Sequence, residues 1–143
     1  MKKHIVRAAF AGALLTLAVP ALTACSSDDA AVVEPADVVF DASHVDSSMF
    51  AAATEVDGVT IIDVRTPAEF AEGHLPGAVN IDVSAATFAD EIAQLDPDAD
   101  YAVYCRSGNR SRAAIETMQG AGFAALIGLE GGIGAWGGEV VTG

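Results

Sequence analysis

One thiol, two guanidinium groups, two hydroxyls and a glycine lie together in Cys105-Arg106-Ser107-Gly108-Asn109-Arg110-Ser111. The apolar run before them, Tyr101-Ala102-Val103-Tyr104, reads as a buried strand, and Arg112-Ala113-Ala114-Ile115-Glu116-Thr117-Met118 after them reads as a helix. A cysteine is thus placed at the C-terminal end of a strand, in a tight polar loop, just before a helix N-terminus. Open α/β sheets bind ligands at that position. Backbone N–H groups of such a loop converge on an anion, and the helix dipole adds roughly half a positive charge there. Both effects favour a thiolate, which is the nucleophilic form. Gly108 allows a positive φ or a close backbone approach. Arg106 and Arg110 supply permanently charged forks suited to an oxyanion. A free cysteine is more often a buried packing residue, but the polar, charged neighbours of Cys105 do not suit a purely apolar site.

The elements around the loop carry a charge pattern that narrows its ligand. The chain has 143 residues and a net charge of −13. Lys2, Lys3 and Arg7 lie at the start, and every acidic residue lies at Asp28 or later. Beyond residue 24 the cations are Arg65, Arg106, Arg110 and Arg112, against 20 acids, so that part carries 4 − 20 = −16. Such a body repels nucleic acid and anionic lipid headgroups. Three arginines within seven residues, at a helix start where cations oppose the dipole, therefore point to a small anion. There are two cysteines, Cys25 and Cys105. A structural zinc site needs about four ligands, which one thiol and scattered histidines do not supply; no metal and no cofactor is implied.

Residues 1–24 read as a signal peptide: a basic start, Met1 to Arg7, then an apolar stretch, Ala8 to Ala21, shorter than the ~20 residues of a spanning helix. It ends in Leu22-Thr23-Ala24-Cys25, which resembles the bacterial lipobox. That resemblance implies lipidation of Cys25, which then becomes the N-terminus, and a place in the bacterial cell envelope on the extracytoplasmic side of a membrane. Several acyl chains anchor stably where one is marginal. With Cys25 a thioether, Cys105 is the sole thiol and no intrachain disulfide forms. An exported protein that keeps one unpaired cysteine usually has a use for it. Residues 25–37, polar and alanine-rich with Pro35, read as a flexible linker.

The folded domain is expected over 38–143. Val38-Val39-Phe40 reads as a short strand, and Asp46-Ser47-Ser48 as an N-cap signal for a helix from Met49 to Thr54. Thr60 to Val64 is a β-branched run, hence a buried strand. Thr66-Pro67 starts a short helix that Gly73 ends. Ala78 to Ile81 is a third strand, and Ser84 to Leu95 a helix with Phe88, Ile92 and Leu95 inward. Tyr101 to Tyr104 is the fourth strand. Ser111 is expected to cap a helix whose inward stripe is Ala114, Ile115, Met118 and Ala121. Ala125-Leu126-Ile127 is the fifth strand, and Gly131 to Trp136 a glycine-rich turn with one aromatic anchor. This alternation predicts an α/β fold with a parallel sheet covered on both faces.

Three segments of this domain resemble the rhodanese homology family: Ile61 to Ile81, with Asp63-Val64-Arg65-Thr66-Pro67-Ala68-Glu69-Phe70 and Gly73-His74-Leu75-Pro76-Gly77-Ala78; the Cys105–Ser111 loop; and Leu129-Glu130-Gly131-Gly132-Ile133-Gly134-Ala135-Trp136. The likeness runs from about Val38 to Trp136. It implies a five-stranded parallel sheet flanked by helices on both faces, and a sulfurtransferase with Cys105 as catalytic cysteine. The loop Arg106, Ser107, Gly108, Asn109, Arg110 and Ser111 then cradles a persulfide. By the same resemblance Asp63, Arg65 and His74 lie in supporting motifs, where hydrogen bonds and ion pairs hold loops. Glu69 is expected to pair with Arg65, and Trp136 to anchor packing.

In the reaction so implied, the Cys105 thiolate attacks the outer sulfur of an anionic donor such as thiosulfate while Arg106 and Arg110 hold the sulfonate. Sulfite leaves, and a thiol or cyanide takes the sulfur in a ping-pong cycle. A phosphatase or arsenate reductase on the same scaffold would use five residues between Cys and Arg. Here Arg106, Ser107, Gly108 and Asn109 make four, a smaller loop that suits sulfur better than a tetrahedral phosphate. A persulfide carrier with little turnover would use the same loop. The membrane is met through the lipid anchor alone, nucleic acid is not a partner, and a monomer is the default.

Overall fold

In the computed structural model residues 33–143 are described. The expected signal segment 1–24, Cys25 and the linker as far as residue 32 lie outside the described residues; the linker's last residues, Pro35–Asp37, form a single 3₁₀ turn. The domain then runs β1 (Asp41–Val45), α1 (Ser47–Thr54), β2 (Thr60–Asp63), α2 (Pro67–Glu72), β3 (Val79–Asn80), α3 (Phe88–Ile92), β4 (Tyr101–Tyr104), α4 (Asn109–Gly120) and β5 (Leu126–Leu129), followed by a 3₁₀ turn at Gly132–Ala135. The five strands form one parallel sheet in the order β1-β5-β4-β2-β3. β4 is central, so the residue that follows it, Cys105, sits in the middle of the sheet's C-terminal edge.

Both faces of the sheet are covered, as its continuous apolar strands require. On one face Ile62, Val103 and Leu126 pack with Phe88 and Ile92 of α3 and Ala114, Ile115 and Met118 of α4. On the other, Ala102, Tyr104, Ile127 and Leu129 pack with Phe50 and Ala53 of α1 and with Leu75. The Phe50 ring meets Tyr104 and Trp136 edge-on, with centroids 6.5 and 6.1 Å apart. Trp136 is the expected packing anchor, and its indole N–H donates to the Glu139 carbonyl at 3.0 Å.

The helix starts follow their local chemistry. Asp46 caps α1 by accepting the Met49 N–H at 2.9 Å. Thr66 and Glu69 form a capping box on α2, with Pro67 at its first position. Several boundaries differ from the sequence reading. The first strand is not Val38–Phe40 but begins at Asp41, and it carries an irregularity between Asp41 and His44 with Ala42 at φ +66°. Asp41 stands opposite Leu126 and His44 opposite Gly128, so β1 spends one residue more than β5 over that interval, as in a β-bulge. α3 is shorter than expected because Asp82 accepts the Ser84 N–H at 2.9 Å and its hydroxyl at 2.6 Å, which holds the preceding segment in a turn. Ala121 is not in the inward stripe: it ends α4 and is exposed.

A buried ion pair fixes the exit from β2. Asp63 has no exposure and Arg65 only 3%. Arg65 Nη2 donates to Asp63 Oδ2 at 2.6 Å and to the Gly73 carbonyl at 2.6 Å, while Nε donates to both carboxylate oxygens at 3.0 Å. The expected Arg65–Glu69 pair is therefore replaced: the Asp63 carboxylate lies two residues away inside the fold, and a buried guanidinium needs a buried partner. Asn80 of β3 donates to the carbonyls of Asp63 and Arg65 at 3.0 and 2.7 Å. Replacing Arg65 with Met should leave an uncompensated interior carboxylate and destabilise the domain by about 3–5 kcal/mol, read as a lowered midpoint in urea.

Candidate active site

Cys105 follows a strand whose neighbours fix its backbone on both sides. The Tyr104 carbonyl accepts the Val64 N–H at 3.0 Å. The Cys105 carbonyl accepts from Ile133 N–H at 2.8 Å, and the Arg106 carbonyl from Gly134 N–H at 3.2 Å, so the glycine-rich 3₁₀ turn clasps the loop from behind. Gly108, at φ +96°, turns the chain directly into α4 and takes the N-cap position. Ser111 is therefore not the cap that its sequence position suggested. It lies inside the first turn, buried, and its hydroxyl donates back to the Gly108 carbonyl at 2.9 Å.

This early helix start leaves its first N–H groups without intrahelical acceptors, and the sulfur takes one. Gly108 N–H donates to Cys105 Sγ at 3.1 Å, and Ser111 Oγ lies 3.6 Å from the same atom. Cys105 has no exposure and belongs to the core cluster with Val103 and Leu126. Burial pushes its thiol up; hydrogen bonds from the Ser111 backbone and hydroxyl and from the Ser107 and Gly108 backbone outweigh it and bring the thiol below its ordinary value. The cysteine is thus interior, as a packing residue would be, and yet surrounded by donors, as a nucleophile requires.

Among the described residues, two of the three arginines of this region are paired and one is not. Arg110 makes a bidentate pair with Glu69, at 2.7 and 2.8 Å, which ties the start of α4 to the capping box of α2. Arg112 pairs with Glu130 on the surface. Arg106 is exposed and has no side-chain hydrogen bond or ion pair among the described residues. Arg110, expected beside Arg106 on the anion, is thereby a clamp on the loop.

Asp63, Arg65 and His74 hold scaffold, not sulfur. His74 stacks on Phe70 with centroids 3.7 Å apart, and its Nδ1 lies 2.9 Å from the Phe70 carbonyl. Its backbone exchanges two 2.8 Å hydrogen bonds with Val141. One residue that the sequence reading did not single out reaches the site: His44 Nε2 lies 2.9 Å from Ser111 Oγ. A lone histidine in a short edge strand gives no local signal for this. Among the described residues no cluster of His, Cys, Asp or Glu is arranged to hold a metal ion.

The chain thus combines a five-stranded parallel sheet with a loop that stabilises a thiolate at the end of its central strand. The rhodanese-like domain family matches residues 38–139, and the chain belongs to that family. It is 33% identical to a sulfurtransferase of Allochromatium vinosum over 66% of this chain and 87% of that protein. It is 35% identical to the thiosulfate sulfurtransferase GlpE of Pseudomonas entomophila, over 60% of this chain and 77% of that one. Among solved structures, a rhodanese-related protein of Thermoplasma volcanium matches with a TM-score of 0.59 and 32% identity, over 68% of this chain and 96% of that chain. The rhodanese-like domain of an Anabaena protein matches with a TM-score of 0.63 and 26% identity, over 69% of this chain and 78% of that one. These relatives support sulfur transfer as the general activity.

The Glu69–Arg110 clamp carries a pH signature. The Arg110 guanidinium, helped by Thr66, holds the Glu69 carboxyl at about 2, against an ordinary 4.5. A depressed carboxyl contributes stability that is fully present above pH 4.5 and lost as pH falls toward 2. Glu69→Gln keeps a capping-box side chain but not the charge. It should cost about 1 kcal/mol at pH 7, a cost that shrinks as pH falls through about 2, read from urea midpoints across that range.

Proposed function

We propose that this protein is an exported, lipid-anchored sulfurtransferase that moves sulfane sulfur from an anionic donor such as thiosulfate to a thiol or cyanide through a persulfide on Cys105. The observation that carries the reading is the buried Cys105 sulfur receiving the Gly108 N–H at 3.1 Å at the mouth of α4. The thiolate attacks the donor's outer sulfur, the S–S bond breaks with its electron pair on the leaving sulfite, and the new persulfide lies among the loop's N–H groups. Arg106, with no ion pair among the described residues, meets the sulfonate. Arg110 keeps the loop in shape through Glu69. The acceptor attacks the persulfide's outer sulfur and restores the Cys105 thiolate. Export and tethering rest on the Lys2-Lys3 start, the apolar stretch and the Leu22–Cys25 lipobox. The single unpaired thiol of the mature chain fits an extracytoplasmic enzyme that reserves its cysteine for chemistry.

Thiocyanate formed from thiosulfate and cyanide tests this. Cys105→Ser should abolish turnover; full turnover in that variant would sink the reading. A one-sulfur mass gain on Cys105 without turnover would make the protein a carrier instead. Arg106→Ala should raise KM for thiosulfate about tenfold and change kcat little, because one charge-assisted contact to the sulfonate is lost in ground and transition states alike.

A further inference from the structure

Three features of the fold converge on the imidazole of His44. The bulge in β1, with Ala42 held at φ +66°, sets the register that puts His44 opposite Gly128. A β-branched-free alanine in the left-handed region is strained, and such outliers persist where the surrounding structure imposes them. Gly128 is a glycine inside a fully buried strand, where it weakens the strand by lacking a side chain. The His44 ring occupies the space its Cβ would take: Nδ1 would lie 2.6 Å from that atom. The ring so placed brings Nε2 to 2.9 Å from Ser111 Oγ, which lies 3.6 Å from Cys105 Sγ.

We infer that His44 is a positioning residue that accepts the Cys105 proton through Ser111. The Ser111 hydroxyl has one hydrogen and three neighbours: the Gly108 carbonyl, His44 Nε2 and Cys105 Sγ. Rotation of that hydrogen from the carbonyl to Nε2 leaves the serine oxygen free to accept from the thiol. The S–H bond then breaks with its electron pair left on sulfur. Its proton passes to Ser111 Oγ, and the serine's own proton passes to Nε2. The products are a thiolate and an imidazolium, and the serine ends as it began. Burial, and then the Arg112 guanidinium, lower the His44 imidazolium against its ordinary value, while Glu130 acts the other way. That direction favours the neutral imidazole of His44, the form with a ring nitrogen free to take a proton. His44 also lines an open groove with Arg112 and Glu116 of α4 and with Glu130, the charged side chains that face it there among the described residues. The relay deepens the sulfur-transfer reading, which it needs only in making the thiolate the working form of Cys105.

The test is the pH dependence of Cys105 alkylation by iodoacetamide in the full chain and in His44→Gln. Glutamine hydrogen-bonds to Ser111 but takes up no proton. The variant's midpoint should rise by about one pH unit, which slows alkylation about tenfold at pH 7 and leaves the high-pH plateau unchanged. A shift below about half a unit overturns the relay. Should the variant not fold, NMR titration of the His44 ring in the unaltered chain and in Cys105→Ser decides. Coupling requires the imidazolium to persist to higher pH, by about one unit, when the thiol is present; coincident curves overturn the inference. Alkylation reads the thiol alone, and thiocyanate formation in the same samples reads sulfur transfer, so either claim fails without the other.

Discussion

Cys105 is fully out of water, so any charge on its sulfur depends on donors that the fold carries to it. An unpaired interior anion costs several kcal/mol, and the N–H groups of a helix start are among the few donors a backbone can aim at one point. Much of the rest of the architecture keeps that start in place. β4 delivers the cysteine to the centre of the sheet edge, Gly108 reverses the chain within three residues, and α4 begins at once. A conventional serine cap would consume the very N–H groups that the sulfur uses, which is why Ser111 sits one turn further in.

Two ion pairs and one turn hold the surroundings. Asp63–Arg65 binds the end of β2 to the Gly73 carbonyl. Glu69–Arg110 joins α2 to α4. The turn at Gly132–Ala135 takes up the carbonyls of Cys105 and Arg106. None of these groups need touch a substrate. Together they keep the loop from relaxing, so that its donors are already oriented when charge develops.

The reading of the residues found what was local. The strand, loop and helix around Cys105 are consecutive, and the Thr66-Pro67 and Asp46 caps act within three residues. The alternation of elements gave a parallel sheet. Contacts closed by the sheet order were invisible: Glu69 meets Arg110 across 41 positions, and His44 meets Ser111 across 67. The expected Arg65–Glu69 pair erred by choosing the helical neighbour over a partner inside the sheet. β1 was placed too early because Val38-Val39-Phe40 is its most apolar stretch, whereas the bulge lets the more polar Asp41–Val45 do the pairing.

The same bulge has a consequence for the sheet as a template. A parallel sheet ends in two rows of backbone donors and acceptors onto which another extended chain could add. Here one border is β3, only two residues long. The other is β1, opened by an acid at Asp41 and broken in register before His44. Neither border offers a long, flat ladder, so the irregularity that also aims His44 guards the sheet against edge-to-edge stacking.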